Sequence, residues 1–223
     1  MNLLTVSFET VGNSEGKATL NDVMDVSKLT SFDVDAGEMD YIETWNMESG
    51  DWGKRYSYAD LPEVDPSYAK TWLDVDVPVN PEVESGASLW LFHKGEDIES
   101  FCFAGQVTSF TNGYTLTKGK MNLCGNPLPT VLNLCDRNQV KIANATSFDI
   151  DEGEKDYVET WDLTTGDWGK RYSYVNLPDL DPSYADTWLD VDVPVATTAI
   201  QAGSGFWYYA AGDGTTLTFE PIK

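Results

Sequence analysis

Positive charge is scarce in this chain. Its 223 residues carry 14 lysines and arginines against 37 aspartates and glutamates, a formal net charge of −23. Phosphate is gripped by Lys and Arg, so nucleic acid and anionic membrane surfaces are excluded as partners. Histidine is almost missing as well. His93 is the only one, so a Ser-His-Asp or zinc site would have to be built around it alone, and no Gly-x-Ser-x-Gly elbow or phosphate-cradling glycine loop accompanies it. An enzyme is therefore not expected, and neither is a resident cofactor. No apolar run approaches the roughly 18 residues of a membrane helix, so no membrane insertion is expected. The opening Met1 to Phe8 has no basic region or cleavage signature, which reads as a cytosolic protein or a mature form rather than a signal peptide. Cysteine is limited to Cys102, Cys124 and Cys135. Cys124 and Cys135 are close enough in sequence to bridge, but none of the three has a cysteine twin, so buried free thiols compete with that bridge.

What the chain does have, it has twice. Ser31 to Val79 returns as Ser147 to Val195 at an offset of 116, with 36 of 49 positions identical and no gap. Repetition at a fixed period means that each copy folds into equivalent structure. Every tryptophan has a twin: Trp45, Trp52, Trp72 and Trp90 recur as Trp161, Trp168, Trp188 and Trp207. The repeated stretch also concentrates the charge, with twelve acids against three bases (−9) in the first copy and thirteen against three (−10) in the second. Met121-Asn122-Leu123 repeats Met1-Asn2-Leu3, which sets the division into a first domain, 1–117, and a second, 118–223.

The local pattern is that of strands. Residues 1–9, Asp40 to Asn46, Lys54 to Tyr58, Ser100 to Phe103, Tyr114 to Leu116 and Thr215 to Phe219 are β-rich runs, and a glycine-containing loop joins the second and third as a hairpin. Trp72 to Val79 alternates and reads as one strand with a buried and a wet face, at a sheet edge because Pro78 lacks an N–H. Leu89 to Phe92 and Phe206 to Tyr209 are continuous apolar runs, expected where both faces are covered. Leu20 to Leu29 and Val131 to Val140 each suggest a short helical turn. The fold class expected is all-β, two tandem, internally duplicated β-sandwich or barrel-like domains.

Met-Asn-Leu-Cys-Gly-Asn-Pro-Leu-Pro (121–129), Asp-Tyr-Val-Glu-Thr-Trp (156–161) and Ala-Gly-Ser-Gly-Phe-Trp-Tyr (202–208) together resemble a β-rich repeat of bacterial secreted and cell-surface proteins. The likeness spans nearly the whole second unit and less of the first, where Val6-Ser-Phe-Glu replaces Asn-Pro-Leu-Pro. It implies an extracellular or cell-surface structural role and brings no catalytic residues.

Three sets of residues remain as candidates. Asp33, Asp35 and Asp40, repeated as Asp149, Asp151 and Asp156, surround a glycine in a spacing that begins like a calcium loop, although the third ligand before the glycine and the closing Glu of an EF-hand are missing. The competing reading is a solvated acidic turn. Trp52, Tyr68 and Trp72, with Trp168, Tyr184 and Trp188, are aromatics beside acids, as a sugar-binding surface or a protein interface would use. Lys54-Arg55 and Lys170-Arg171 are basic pairs in an acidic surface, able to meet the next copy head to tail. The function expected is a self-assembling extracellular subunit (filament, fibre or surface layer) joined by pairing of terminal strands, with the chain itself as partner. The alternative is a tandem carbohydrate-binding module with a glycan as partner.

Overall fold

The computed structural model describes residues 2–7, 18–33, 37, 39–95, 112–162 and 164–220. Two six-stranded antiparallel sheets organise them. The first is made of β1 (Asn2–Thr5), β2 (Tyr41–Asn46), β3 (Asp51–Ala59), β4 (Thr71–Asp74), β5 (Val77–Val79) and β6 (Ser88–Phe92), in the spatial order β1-β6-β2-β3-β4-β5. The second repeats it as β7 (Lys120–Gly125), β8 (Tyr157–Asp162), β9 (Asp167–Val175), β10 (Thr187–Asp190), β11 (Val193–Val195) and β12 (Gly205–Ala210), in the order β7-β12-β8-β9-β10-β11. The fold is all-β, and neither sheet closes into a barrel.

Helix is confined, among the described residues, to Leu20–Val23 and three short 3-10 turns. The first of the two expected helical turns is therefore present. The second is not: Leu132–Asn133 pairs with Ala199–Ile200 as strand, and Asp136 to Val140 forms a tight turn. The chain's last strand, Thr216–Phe219, lies between Val140–Ala143 and Asn112–Thr115 in a separate three-stranded sheet. Asn112–Thr115, on the N-terminal side of the expected division at 117/118, thus pairs with an element of the second half. The expected strand Ser100 to Phe103, and Cys102 within it, lie outside the described residues.

Alternation along the strands gives each sheet two buried faces. In the first half Ile42, Tyr58, Trp72, Leu89 and Leu91 face a core completed by Val6, Leu20 and Val23. In the second, Val158, Tyr174, Trp188, Phe206 and Tyr208 face one completed by Leu128, Leu132, Leu134 and Phe219. The opposite faces meet each other through Leu3, Trp45 and Trp90 from one half and Leu123, Trp161 and Trp207 from the other. This accounts for the unbroken apolar runs of β6 and β12, which have a hydrophobic neighbour on either side.

The meeting of the halves follows an approximate two-fold. Trp45 packs edge-on against Trp207 at 4.5 Å and 82°, and the exchanged pair, Trp161 with Trp90, does so at 4.5 Å and 83°. Trp52 bridges Trp45 and Trp90, and Trp168 bridges Trp161 and Trp207, so six indoles close into one ring of contacts. Such pairs contribute about 0.5–1.5 kcal/mol each beyond the area they bury. Near the axis equivalent positions meet and cannot both be large. Thr5 and Ser88 in the first half correspond to Gly125 and Gly205 in the second. A Cβ on Gly125 would lie 2.1 Å from the Thr5 methyl, and one on Gly205 would lie 2.7 Å from Leu3.

One expected strand is corrected. Trp72 to Val79 is not continuous but turns back at Val75-Asp76, pairing Asp74 with Val77 and Leu73 with Pro78. Val75 stands at φ 61° and its twin Val191 at φ 60°. A β-branched residue there is disfavoured, so neither the sequence pattern nor turn chemistry signals the hairpin. Pro78 does lie on an edge strand, as its missing N–H requires.

Candidate functional site

The acidic turns, whose spacing begins like a calcium loop, bond to their own backbone. Asp149 Oδ1 accepts from the backbone N–H of Asp151 (2.8 Å) and Glu152 (3.2 Å), and Gly153 closes the turn onto the Asp149 carbonyl at φ 80°. That turn explains the Asp-x-Asp-x-Gly spacing through backbone satisfaction alone. Asp156 is turned away from it, fully buried, and accepts from Tyr208 Oη (2.9 Å) and Ala211 N–H (2.7 Å). Asp40, equally buried, meets His93 Nδ1 at 2.6 Å and accepts from the N–H of Thr30 and Lys94. Asp33 closes the corresponding first turn, its carbonyl accepting from Gly37 N–H; Asp35 lies outside the described residues. Among the described residues no three His, Cys, Asp or Glu side chains gather as a metal cluster. Burial raises the Asp156 carboxyl, with the bonds from Ala211 and Tyr208 opposing it.

The repeated Gly-Asp-Trp-Gly-Lys-Arg block is explained by a β-bulge in the β2–β3 hairpin. Glu43 pairs with Arg55 and Trp45 with Trp52, so β3 carries one residue more than β2 between those pairs. The bulge re-aims Trp52 to the same face as Arg55. Thr44 Oγ1 fills the gap, accepting from Lys54 N–H at 2.8 Å, and a Cβ on Gly53 would lie 2.5 Å from that oxygen. Thr160, Lys170 and Gly169 repeat the arrangement.

The basic pairs proposed for assembly are already occupied. Lys54 Nζ bonds Asp74 at 2.6 Å, and Arg55 bonds Glu43 through Nε and a terminal N–H at 2.8 and 2.6 Å. Lys170 with Asp190 and Arg171 with Glu159 repeat both. The Arg55 guanidinium also stands 4.3 Å from the Tyr41 ring, whose other face stacks on Phe92 at 4.8 Å. Both faces of that ring are therefore covered.

The aromatic candidates divide. Trp72 and Trp188 are corrected from ligand platforms to core residues, since both are 0% exposed. The error follows from the missed hairpin, which assigned them to a wet face. Trp52 and Trp168 do reach solvent, at 47% and 52% exposure. Tyr68 and Tyr184 are half-buried beside the tips of the β4–β5 and β10–β11 hairpins, and Tyr68 Oη donates to the Asp76 carbonyl at 3.4 Å. Cys124 and Cys135 are free thiols. Burial pushes the thiols of both upward, the opposite of what a nucleophile needs.

One concavity was not anticipated. Between the bulged end of the β8–β9 hairpin and the Ala199–Gly205 segment lies a pocket of about 450 Å³ lined by Tyr172, Ile200, Gln201, Ser204, Asp162 and Lys170, among others. The repeat carries no signal for it, because Gln201 and Ser204 correspond to Glu84 and Ala87.

Comparison with protein-family models, with curated proteins and with solved structures finds no match for the chain.

Proposed function

We propose that the chain is a non-catalytic structural subunit of the cell exterior, two β-sandwich-like units of one duplicated design, which assembles with further copies of itself. One observation carries this reading. Of ten exposed large hydrophobic residues among those described, six are twinned aliphatics, Val64 with Leu180, Val75 with Val191 and Val77 with Val193, and the last two pairs lie at the tips of the β4–β5 and β10–β11 hairpins. Val75 and Val191 are each 81% exposed, in a backbone region that costs about 1–3 kcal/mol for such a residue. Burial of these side chains against another molecule would offset that cost.

The tips, rather than the chain's ends, are the better joints. β1 pairs β6 and bonds Gly203 through Thr5, and Thr216–Phe219 has a neighbour on each side, so the terminal strands are engaged within one chain. Pro78 and Pro194 remove an N–H from the edges beside the tips, which favours side-chain contact over strand addition there. Because Asp76 lies in the first tip, Asp65 caps the 3-10 turn whose Tyr68 reaches it, and the chain carries −23 overall, copies repel at low ionic strength. Salt that shortens the screening length to about 10 Å or less should relieve this.

Light scattering of the whole chain across protein concentration, from low to high salt and with calcium, tests the proposal. The expected result is a mass that rises with salt, and a monomer throughout when Val75, Val77, Val191 and Val193 are all changed to Ser. A monodisperse wild-type monomer under every condition overturns it.

A further inference from the structure

We propose that the pocket beside β9 is a binding site for a neutral saccharide, one per chain, with Tyr172, Gln201 and Ser204 as its recognition groups. The site is independent of the assembly tips and of the exposed indoles. Its volume of about 450 Å³ falls within the roughly 300–1,000 Å³ typical of small-molecule sites.

The chemical class follows from what the wall leaves uncommitted. Tyr172 and Ser204 are only 7% and 8% exposed, yet among the described residues neither hydroxyl has a hydrogen-bond partner, and the Gln201 side-chain amide has none either. Gln201 is exposed and neither hydroxyl is sealed from water, so an apolar ligand would strip their hydration and leave three groups unmatched. The lysine in the wall is already paired, and the carboxylate is hydrogen-bonded within its own turn. Lys170 is held by Asp190, and Asp162 Oδ1 accepts from the N–H of Thr164 and Thr165. An anionic ligand would therefore find no uncompensated counter-charge. Two hydroxyls and a carboxamide each both donate and accept, which suits ligand hydroxyls that do the same. The Tyr172 ring and Ile200 supply apolar surface for the carbon skeleton.

The first half lacks this set. At the positions of Gln201 and Ser204 it has Glu84 and Ala87, a negative charge and a methyl group. The stoichiometry should accordingly be one, where a tandem module would give two.

Saturation-transfer NMR on the full chain, with glucose, galactose, mannose, xylose and N-acetylglucosamine as separate probes, tests this. At least one probe should show transfer and titrate to a single site. Gln201→Leu with Ser204→Ala should weaken it about tenfold or more, the loss expected from one or two hydrogen bonds. Neither side chain is hydrogen-bonded among the described residues, so the fold should survive, and near-ultraviolet circular dichroism verifies that it does. Trp52→Ala with Trp168→Ala should leave the affinity unchanged. No transfer from any of the five probes, two equal sites, or binding that survives the Gln201/Ser204 change while failing with the tryptophans, overturns the proposal. None of these outcomes depends on whether the chain assembles.

Discussion

In the first half the buried Asp40 is met by His93; in the second, the equivalent Asp156 is met by Tyr208. The exchange is reciprocal. The position of His93 holds Ala210, and that of Tyr208 holds Leu91, two residues earlier on the same strand. Each half keeps a buried carboxylate that ties the start of β2 or β8 to the end of β6 or β12, and each supplies it with one polar side chain from a different position. The duplicated design thus fixes the acceptor and leaves the donor free to move. At the two-fold between the halves the lesson is the reverse. Symmetry itself forces a difference there, because Thr5 and Ser88 can occupy the axis only if their counterparts, Gly125 and Gly205, vacate it.

Making the halves alike at the axis should have the largest effect. Gly125→Thr places a Cβ 2.1 Å from the Thr5 methyl and 2.5 Å from Ser88 Oγ, and overpacking of this kind costs about 3 kcal/mol or more where both backbones are held by strand pairing. Adding Thr5→Gly to the same chain exchanges the two roles and should recover over half of the loss. Urea unfolding of the single and double variants measures this, and strict additivity would show that the two positions do not oppose each other across the axis.

The buried aspartates offer the next test. Asp156→Ala leaves the Tyr208 hydroxyl and the Ala211 N–H without their acceptor, at about 1–3 kcal/mol, and Asp156→Asn should cost less. The pH dependence has a defined sign. Burial raises the Asp156 carboxyl in the folded state above the ordinary 3.8, so its contribution is complete below that value and declines as pH rises through the folded one. The advantage of wild type over Asp156→Asn should therefore be greatest in acid and shrink toward neutrality. Thermal unfolding of both proteins between about pH 3 and pH 7 reads this directly, and a gap that widens with pH would contradict the assigned cause.

The two core tryptophans differ in one bond. Trp72 Nε1 donates to Asn21 Oδ1 at 3.0 Å, whereas Trp188 Nε1 is buried with no acceptor among the described residues. Trp72→Phe and Trp188→Phe remove similar volume, so the first should be more destabilising by about 1 kcal/mol, the net worth of the extra bond. Equal midpoints in denaturant would mean that the indole of Trp188 finds a partner in solution.

These contrasts also mark how far the sequence could be read. The repeat, the β2–β3 hairpin, the edge position of Pro78 and the doubly covered β6 and β12 follow from periodicity, glycine and proline, all of which act locally. The Val75-Asp76 turn could not be read, since a valine at positive φ violates the turn preferences used to find one. Its loss reversed the faces of β4 and exposed Trp72 on paper. The ring of six indoles arises only when one half meets the other, which no local pattern encodes. The pocket escaped for a different reason. Identity between the copies drew attention to Trp52, Lys54 and Arg55, whose partners prove to be internal, while Gln201 and Ser204 lie where the copies diverge.

The smallest expected effect is the sharpest test of equality between the halves. Lys54–Asp74 and Lys170–Asp190 have nearly the same length, 2.6 and 2.5 Å, and both lysines are 63% exposed. Ion pairs this open to water contribute little and are screened by salt. Lys54→Ala and Lys170→Ala should therefore each lower the unfolding midpoint only slightly, equally, and the difference should fade in high salt. If the tips are the joints, neither change should alter the salt-driven rise in mass, because each lysine already has its carboxylate within its own sheet. A lysine variant that abolishes assembly while leaving stability intact would move the joint from the valine tips to the basic pairs.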